Sequence, residues 1–143
     1  MTLPSQAILI HSGASIREAL PMDLWNRINN KFTVSMNYGY RYTPNATINT
    51  FVDQAFYNEE LNKLRDLQLI VGNQDRDIKT ILPNTVLLKT TTIFDPTFQT
   101  GFFSPYLCGL FSLSLACYLL GEGNIFLLGC DYGELRNTEG KVV

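Results

Sequence analysis

Four short clusters in this sequence place glycine, oxygen and nitrogen where a small polar ligand can be held. The first, Ser12-Gly13-Ala14-Ser15, directly follows an apolar run at 7–10. Glycine there permits a tight turn, and free amides at a helix start suit a phosphate. The same four residues also fit an ordinary strand-to-helix turn with a serine cap. The second cluster, Asn37-Tyr38-Gly39-Tyr40-Arg41-Tyr42, offers a carboxamide able to donate to and accept from a base or ribose. Its tyrosines either form an adaptable polar surface or pack over a sheet edge. The third is Asp53, suited to ribose hydroxyls or to capping the helix after it. The fourth, Gly129-Cys130-Asp131-Tyr132-Gly133, sets one carboxylate between two glycines, where it can reach a ligand or turn back on its own backbone.

Other reactive side chains are few. His11 is the single histidine and reads as a polar wall residue beside the first turn. Cys108, Cys117 and Cys130 are an odd number without a CxxC pair, which predicts reduced thiols used for packing. No metal site and no cofactor is expected from these residue types.

The elements that must position these clusters follow from hydropathy patterning. Residues 7–10 read as a buried strand, and Ser15 with Glu18 has the spacing of a capping box opening a helix. Pro21 interrupts that helix, and 22–30 adds a turn or two with Leu24, Trp25 and Ile28 inward. Further strands are predicted at 32–36, 48–52, 69–72, 85–89 and 125–129. A helix through 58–66 carries Leu61 and Leu64 inward, and a long apolar helix over 104–120 ends at Gly121. Segments 73–84 and 90–101 read as long loops. Alternating strands and helices predict an α/β fold, a mostly parallel sheet with helices on both faces, in a single domain over 1–143. Ligands then bind at the carboxyl ends of the strands, where all four clusters fall.

Composition narrows the partners. The chain has 143 residues, 45% hydrophobic and 17% charged, enough for one core. Eleven Lys and Arg against thirteen Asp and Glu give a net charge of −2, which argues against nucleic acid. The first residues carry no basic region before the apolar run, so an export signal is not expected and the chain reads as cytoplasmic. Residues 96–121 lack charge, but Pro105, Gly109 and several serines favour a helix buried in protein over a transmembrane span. That helix leaves room for peripheral membrane contact and for a homo-oligomer formed through 104–120. The final Gly140-Lys141-Val142-Val143 stops as an apolar run begins, so the sequence is expected to be the N-terminal portion of a longer protein, truncated at its C-terminus.

Taken in order, Ile8-Leu-Ile-His-Ser-Gly-Ala-Ser, Val34-Ser-Met-Asn37 and the run from Gly109 through Leu-Gly to Gly129-Cys130-Asp131 resemble a known group. It is the Rossmann-like group that includes bacterial sialyltransferases, motility-associated glycosyltransferases and 6-hydroxymethylpterin diphosphokinase-like proteins. The resemblance runs over about residues 7–133 by scattered positions. The group usually opens its long helix with Ser-Gly or Thr-Gly, where this chain has Cys108-Gly109. The sialyltransferases' catalytic histidine falls downstream of Gly-x-Asp, and no residue here corresponds to it.

The resemblance implies a glycosyltransferase-like domain that binds a nucleotide sugar, a CMP-sugar by preference, for transfer to a glycan acceptor. Ser12, Gly13, Ala14, Ser15, Asn37, Asp53, Gly109 and Gly129 would then bind the nucleotide, and Asp131 would be the catalytic side chain facing sugar or acceptor. Two alternatives stand beside it: pyrophosphate transfer from ATP to a pterin alcohol, and a non-catalytic module that binds nucleotide or oligomerises.

Overall fold

A computed structural model describes residues 4–11, 13–28, 30–92, 96–97, 99–103, 108–131 and 139. Strands β1 (Gln6–Ile10), β2 (Thr33–Met36), β3 (Ile48–Phe51), β4 (Ile70–Asn73) and β5 (Thr85–Leu88) lie side by side in chain order. Two short strands, β6 (Thr90–Thr91) and β7 (Phe102–Phe103), pair with each other outside that sheet. The last strand, β8 (Asn124–Leu128), returns to the free side of β1. The six-stranded order is therefore β5-β4-β3-β2-β1-β8, and every pair in it is parallel. Strand order reverses at β1, with β2 on one side and β8 on the other.

Helices cover both faces. Helix α3 (Cys108–Leu120) lies across β1, β2 and β3, packing Phe111, Leu115 and Ala116 on Ala7, Leu9, Val34 and Ile48. Phe111 and Leu115 are fully buried, and each such side chain stabilises the fold by about 1.5–3 kcal/mol. The opposite face receives α1 (Leu24–Ile28) and α2 (Gln54–Leu64). There Ile16, Ile28 and Trp25 pack on Ile8 and Ile10, while Phe56, Tyr57 and Leu64 pack on Phe51 and Ile70. This is the Rossmann-like α/β arrangement expected from the strand–helix alternation.

The central strands are not wholly apolar, and their buried polar groups bond one another. Ser35 Oγ donates to Asn49 Oδ1 at 2.5 Å, and Thr50 Oγ1 lies 2.5 Å from Ser112 Oγ, tying β3 to α3. Helix α3 ends as predicted at Gly121, which adopts φ +69° and donates its amide to the Cys117 carbonyl at 3.0 Å. Among the described residues no helix is long and apolar enough to cross a membrane.

Three local expectations change. The segment after β1 is a 3₁₀ helix, Ala14–Met22, which contains Pro21 instead of stopping at it. Its N-cap is Gly13, which has no side chain to offer, and Ser15 lies inside the helix, so the Ser15–Glu18 capping box does not form. The predicted loops at 73–84 and 90–101 contain a 3₁₀ turn (Gln74–Arg76) and strands β6 and β7. Helix α2 starts at Gln54, four residues before the sequence places it, with Asp53 at its N-cap position.

Candidate functional site

The carboxyl ends of β1 and β8 meet through their loops. Parallel pairing brings Ile10 opposite Leu128, and the His11 amide continues the ladder to the Leu128 carbonyl at 2.8 Å. Beyond it, the Gly13 amide donates to the Gly129 carbonyl at 2.9 Å. Any side chain at position 13 would collide with this loop. A β-carbon there would fall 2.5 Å from Asp131 Oδ1 and closer still to the Gly129 carbonyl oxygen. Gly129 itself holds φ +70°, a conformation that favours glycine, and so turns Cys130 and Asp131 back over β1.

Asp131 then grips Ser15. Its Oδ2 accepts the Ser15 amide at 3.0 Å and its Oδ1 accepts the Ser15 hydroxyl. These two bonds, hydroxyl first, hold the Asp131 carboxyl below its ordinary pKa. The group is therefore a carboxylate at neutral pH. A negative charge thus sits where the 3₁₀ helix begins, the position that favours anions. The neighbouring amide of Ile16 bonds the Gly13 carbonyl at 3.2 Å.

The loop after β2 closes the other side. Asn37 takes φ +45°, in the left-handed region where asparagine is among the few tolerated residues. Its Oδ1 is buried and accepts no hydrogen bond. Two residues on, Gly39 lies so close to the end of β1 that a β-carbon would sit 2.9 Å from the Ile10 carbonyl oxygen. Adjacent strands are about 4.8 Å apart, so the ends of β2 and β8, flanking β1, are separated by about 10 Å. Asn37, Gly13, Ser15, Gly129 and Asp131 therefore share one rim, at a scale one nucleotide can span.

The remaining candidates are placed less centrally. Asp53 is exposed at the start of α2, two strands from β1, with no side-chain bond to the helix amides. Gly109 lies in the first turn of α3, beside Cys108, whose Sγ is 3.6 Å from Thr50 Oγ1 of β3. Because α3 runs back along the sheet, its N-terminus points to this same rim. Ala14 occupies the first position of the 3₁₀ helix. Ser12 lies outside the described residues, as do Tyr132 and Gly133.

The tyrosines after β2 are engaged in packing. The Tyr40 hydroxyl donates to Glu60 Oε2, and Arg41 Nη2 reaches Glu60 Oε1 at 2.8 Å. Burial and the Glu60 bond push the Tyr40 phenol up to about 12, so it stays protonated. Tyr38 packs edge-on against Phe56 beneath the Arg41 guanidinium, and Tyr42 stacks obliquely on Trp25. Glu60 is thus the buried anchor of this loop. Nothing in its sequence context separates it from the exposed Glu59, except helical phase towards Leu64 and Tyr57.

Burial lowers the His11 pKa, leaving a neutral imidazole beside the rim. Burial raises the Cys108 thiol to about 11, and it raises Cys117 and Cys130 as well, so none is an activated nucleophile. Among the described residues no cluster of His, Cys, Asp and Glu could hold a metal ion.

Comparison with protein-family models, curated proteins and solved structures finds no match to this chain.

Proposed function

We propose that this chain is a nucleotide-binding domain of glycosyltransferase type. Its ligand is a nucleotide sugar, a CMP-sugar by preference, and the transfer it serves is to a glycan acceptor. The observation that carries the reading is the rim at the strand-order reversal. There Gly13, Ser15 and Asp131 meet across β1 and β8, with the unpartnered Asn37 Oδ1 just after the neighbouring strand β2. Open parallel sheets bind ligands outside the strand ends at such a reversal. The sequence resemblance supplies the nucleotide-sugar class.

In this reading Asn37 Oδ1 accepts a hydrogen bond from a base amino group or a ribose hydroxyl, which removes the cost of its unpaired oxygen. The glycine at 13 lets the loop after β8 close against the end of β1, which sets the Ser15 donors on the rim. The Ser15 amide and hydroxyl are the donors to that phosphate once the Asp131 carboxylate swings away. Asp131, released, accepts from a hydroxyl of sugar or acceptor. Release gives up the Ser15 bonds that lower its pKa, and the group accepts and orients that hydroxyl as a carboxylate.

Thermal-shift screening with CMP, UDP, GDP and ATP, each with and without Mg²⁺, tests the proposal. Metal-independent stabilisation by CMP is the expected result. An ATP response that requires Mg²⁺ would support pyrophosphate transfer instead, and no response to any nucleotide would overturn the nucleotide reading.

A further inference from the structure

We infer that the free edge of β8 is a two-fold interface with a second copy of this chain. The inference is independent of the nucleotide reading. Among the described residues β8 pairs only with β1. The Asn124 amide bonds Ser5 and the Leu128 carbonyl receives the His11 amide, so residues 124, 126 and 128 direct their backbone groups to β1. Alternation then leaves the N–H and C=O of Ile125 and Leu127 pointing outward from the sheet.

That edge lacks the features that keep sheet edges apart, such as a charge, a proline or a bulge. Its sequence, Asn-Ile-Phe-Leu-Leu, is that of an interior strand. Phe126 is 50% exposed on the α1 face and Leu127 51% exposed on the α3 face. Helix α3, by contrast, turns most of its apolar residues onto the sheet, with Tyr118 its one large hydrophobic exposed among the described residues.

The two outward donors and two outward acceptors lie symmetrically about Phe126. An antiparallel partner strand centred there would pair Ile125 with the second copy's Leu127, and Leu127 with its Ile125. All four groups are then satisfied, and every apolar side chain from 125 to 127 meets another. No charged side chain lies in 124–130 to oppose this. A stable pair buries about 800 Å² on each partner, more than one short strand provides. A groove of about 270 Å³ beside β8 extends the contact surface; Met22, Leu24, Trp25 and Leu127 line it together with Ser15, Glu18 and Gly129, and Met22 is 68% exposed.

Sedimentation equilibrium on the intact chain reads the outcome. The wild type should be a dimer. Phe126→Lys, which places like charges on the two-fold axis, should be monomeric with an unchanged circular dichroism spectrum. Ile125→Pro should also be monomeric, because it deletes an outward N–H and no bond to β1. Phe126→Cys gives a readout of register. Residues facing each other in such a non-hydrogen-bonded pair have Cα atoms about 4.5 Å apart, within disulfide range. Mild oxidation should therefore cross-link F126C in a background where Cys117 and Cys130 are serine, and should leave that background uncross-linked. A wild type that stays monomeric at every concentration overturns the inference. So does a dimer that survives Phe126→Lys, or one in which F126C fails to cross-link.

Discussion

Gly13 carries one of the tightest requirements among the described residues. Its amide bonds Gly129, and the space where a side chain would stand is already filled by Gly129 and Asp131. Gly13→Val should destabilise the fold by about 2 kcal/mol, read from urea denaturation, because a backbone carbonyl cannot move aside cheaply. Asp131 and His11 set the response to acid. The Asp131 carboxyl is lowered by its bonds to Ser15, so its contribution is complete above the ordinary value of 3.8. That contribution is lost as pH falls through the lowered folded value, and the Ser15 amide resonance should move in that acidic range and not above it. His11 behaves similarly at higher pH. Burial depresses its pKa below 6.5, so the unfolded chain takes up the proton first. Stability should therefore fall as pH drops below 6.5, and His11→Gln should flatten that slope. A slope unchanged in the variant would contradict the burial argument.

At the scale of elements, the loop after β2 is held by a buried acid. Glu60 is only 7% exposed and bonds both Tyr40 and Arg41, which keep it ionised against the opposing effect of its burial. Tyr40→Phe removes one of those donors and should cost about 1 kcal/mol in a denaturant titration. The strands were legible in the sequence because each is a short apolar run closed by turn residues, and all six sheet strands fall within a residue or two of the reading. Helix α3 and its Gly121 stop were legible for the same reason. The Ser15–Asp131 contact was not, since a local spacing rule cannot anticipate an acceptor 116 residues away. The convergence of Gly13, Ser15 and Asp131 depends on β8 returning beside β1. Strand order lies in tertiary packing, whereas the sequence alone marked only that each residue follows a strand. The closeness of Gly39 to Ile10 was missed for that reason too, although a glycine three residues after a strand end is a signal of close backbone approach.

For the whole molecule, binding and chemistry separate. The rim offers amides, a carboxamide and a carboxylate, the groups that the proposed function assigns to holding a nucleotide. Transfer additionally needs a base matched to neutral pH beside the acceptor. His11 is buried and neutral at the end of β1, and Asp131 has a lowered pKa. This chain should therefore bind a nucleotide weakly and transfer sugar inefficiently, and a coupled assay with CMP-sugar donor should give turnover near the background hydrolysis rate. Efficient transfer abolished by His11→Ala would contradict that division of labour.

The central claim is that one nucleotide spans Asn37 and the Gly13–Ser15 turn. Isothermal titration of the chain with CMP, beside Asn37→Ala, measures it directly. The Asn37 change should weaken CMP binding about tenfold, the loss of one hydrogen bond of about 1.4 kcal/mol. Its urea midpoint gains from losing an unpaired buried oxygen and falls from placing alanine at φ +45°, so the affinity and not the midpoint reads the claim. Equal affinity for CMP in wild type and Asn37→Ala, or no measurable heat with either, would contradict the account.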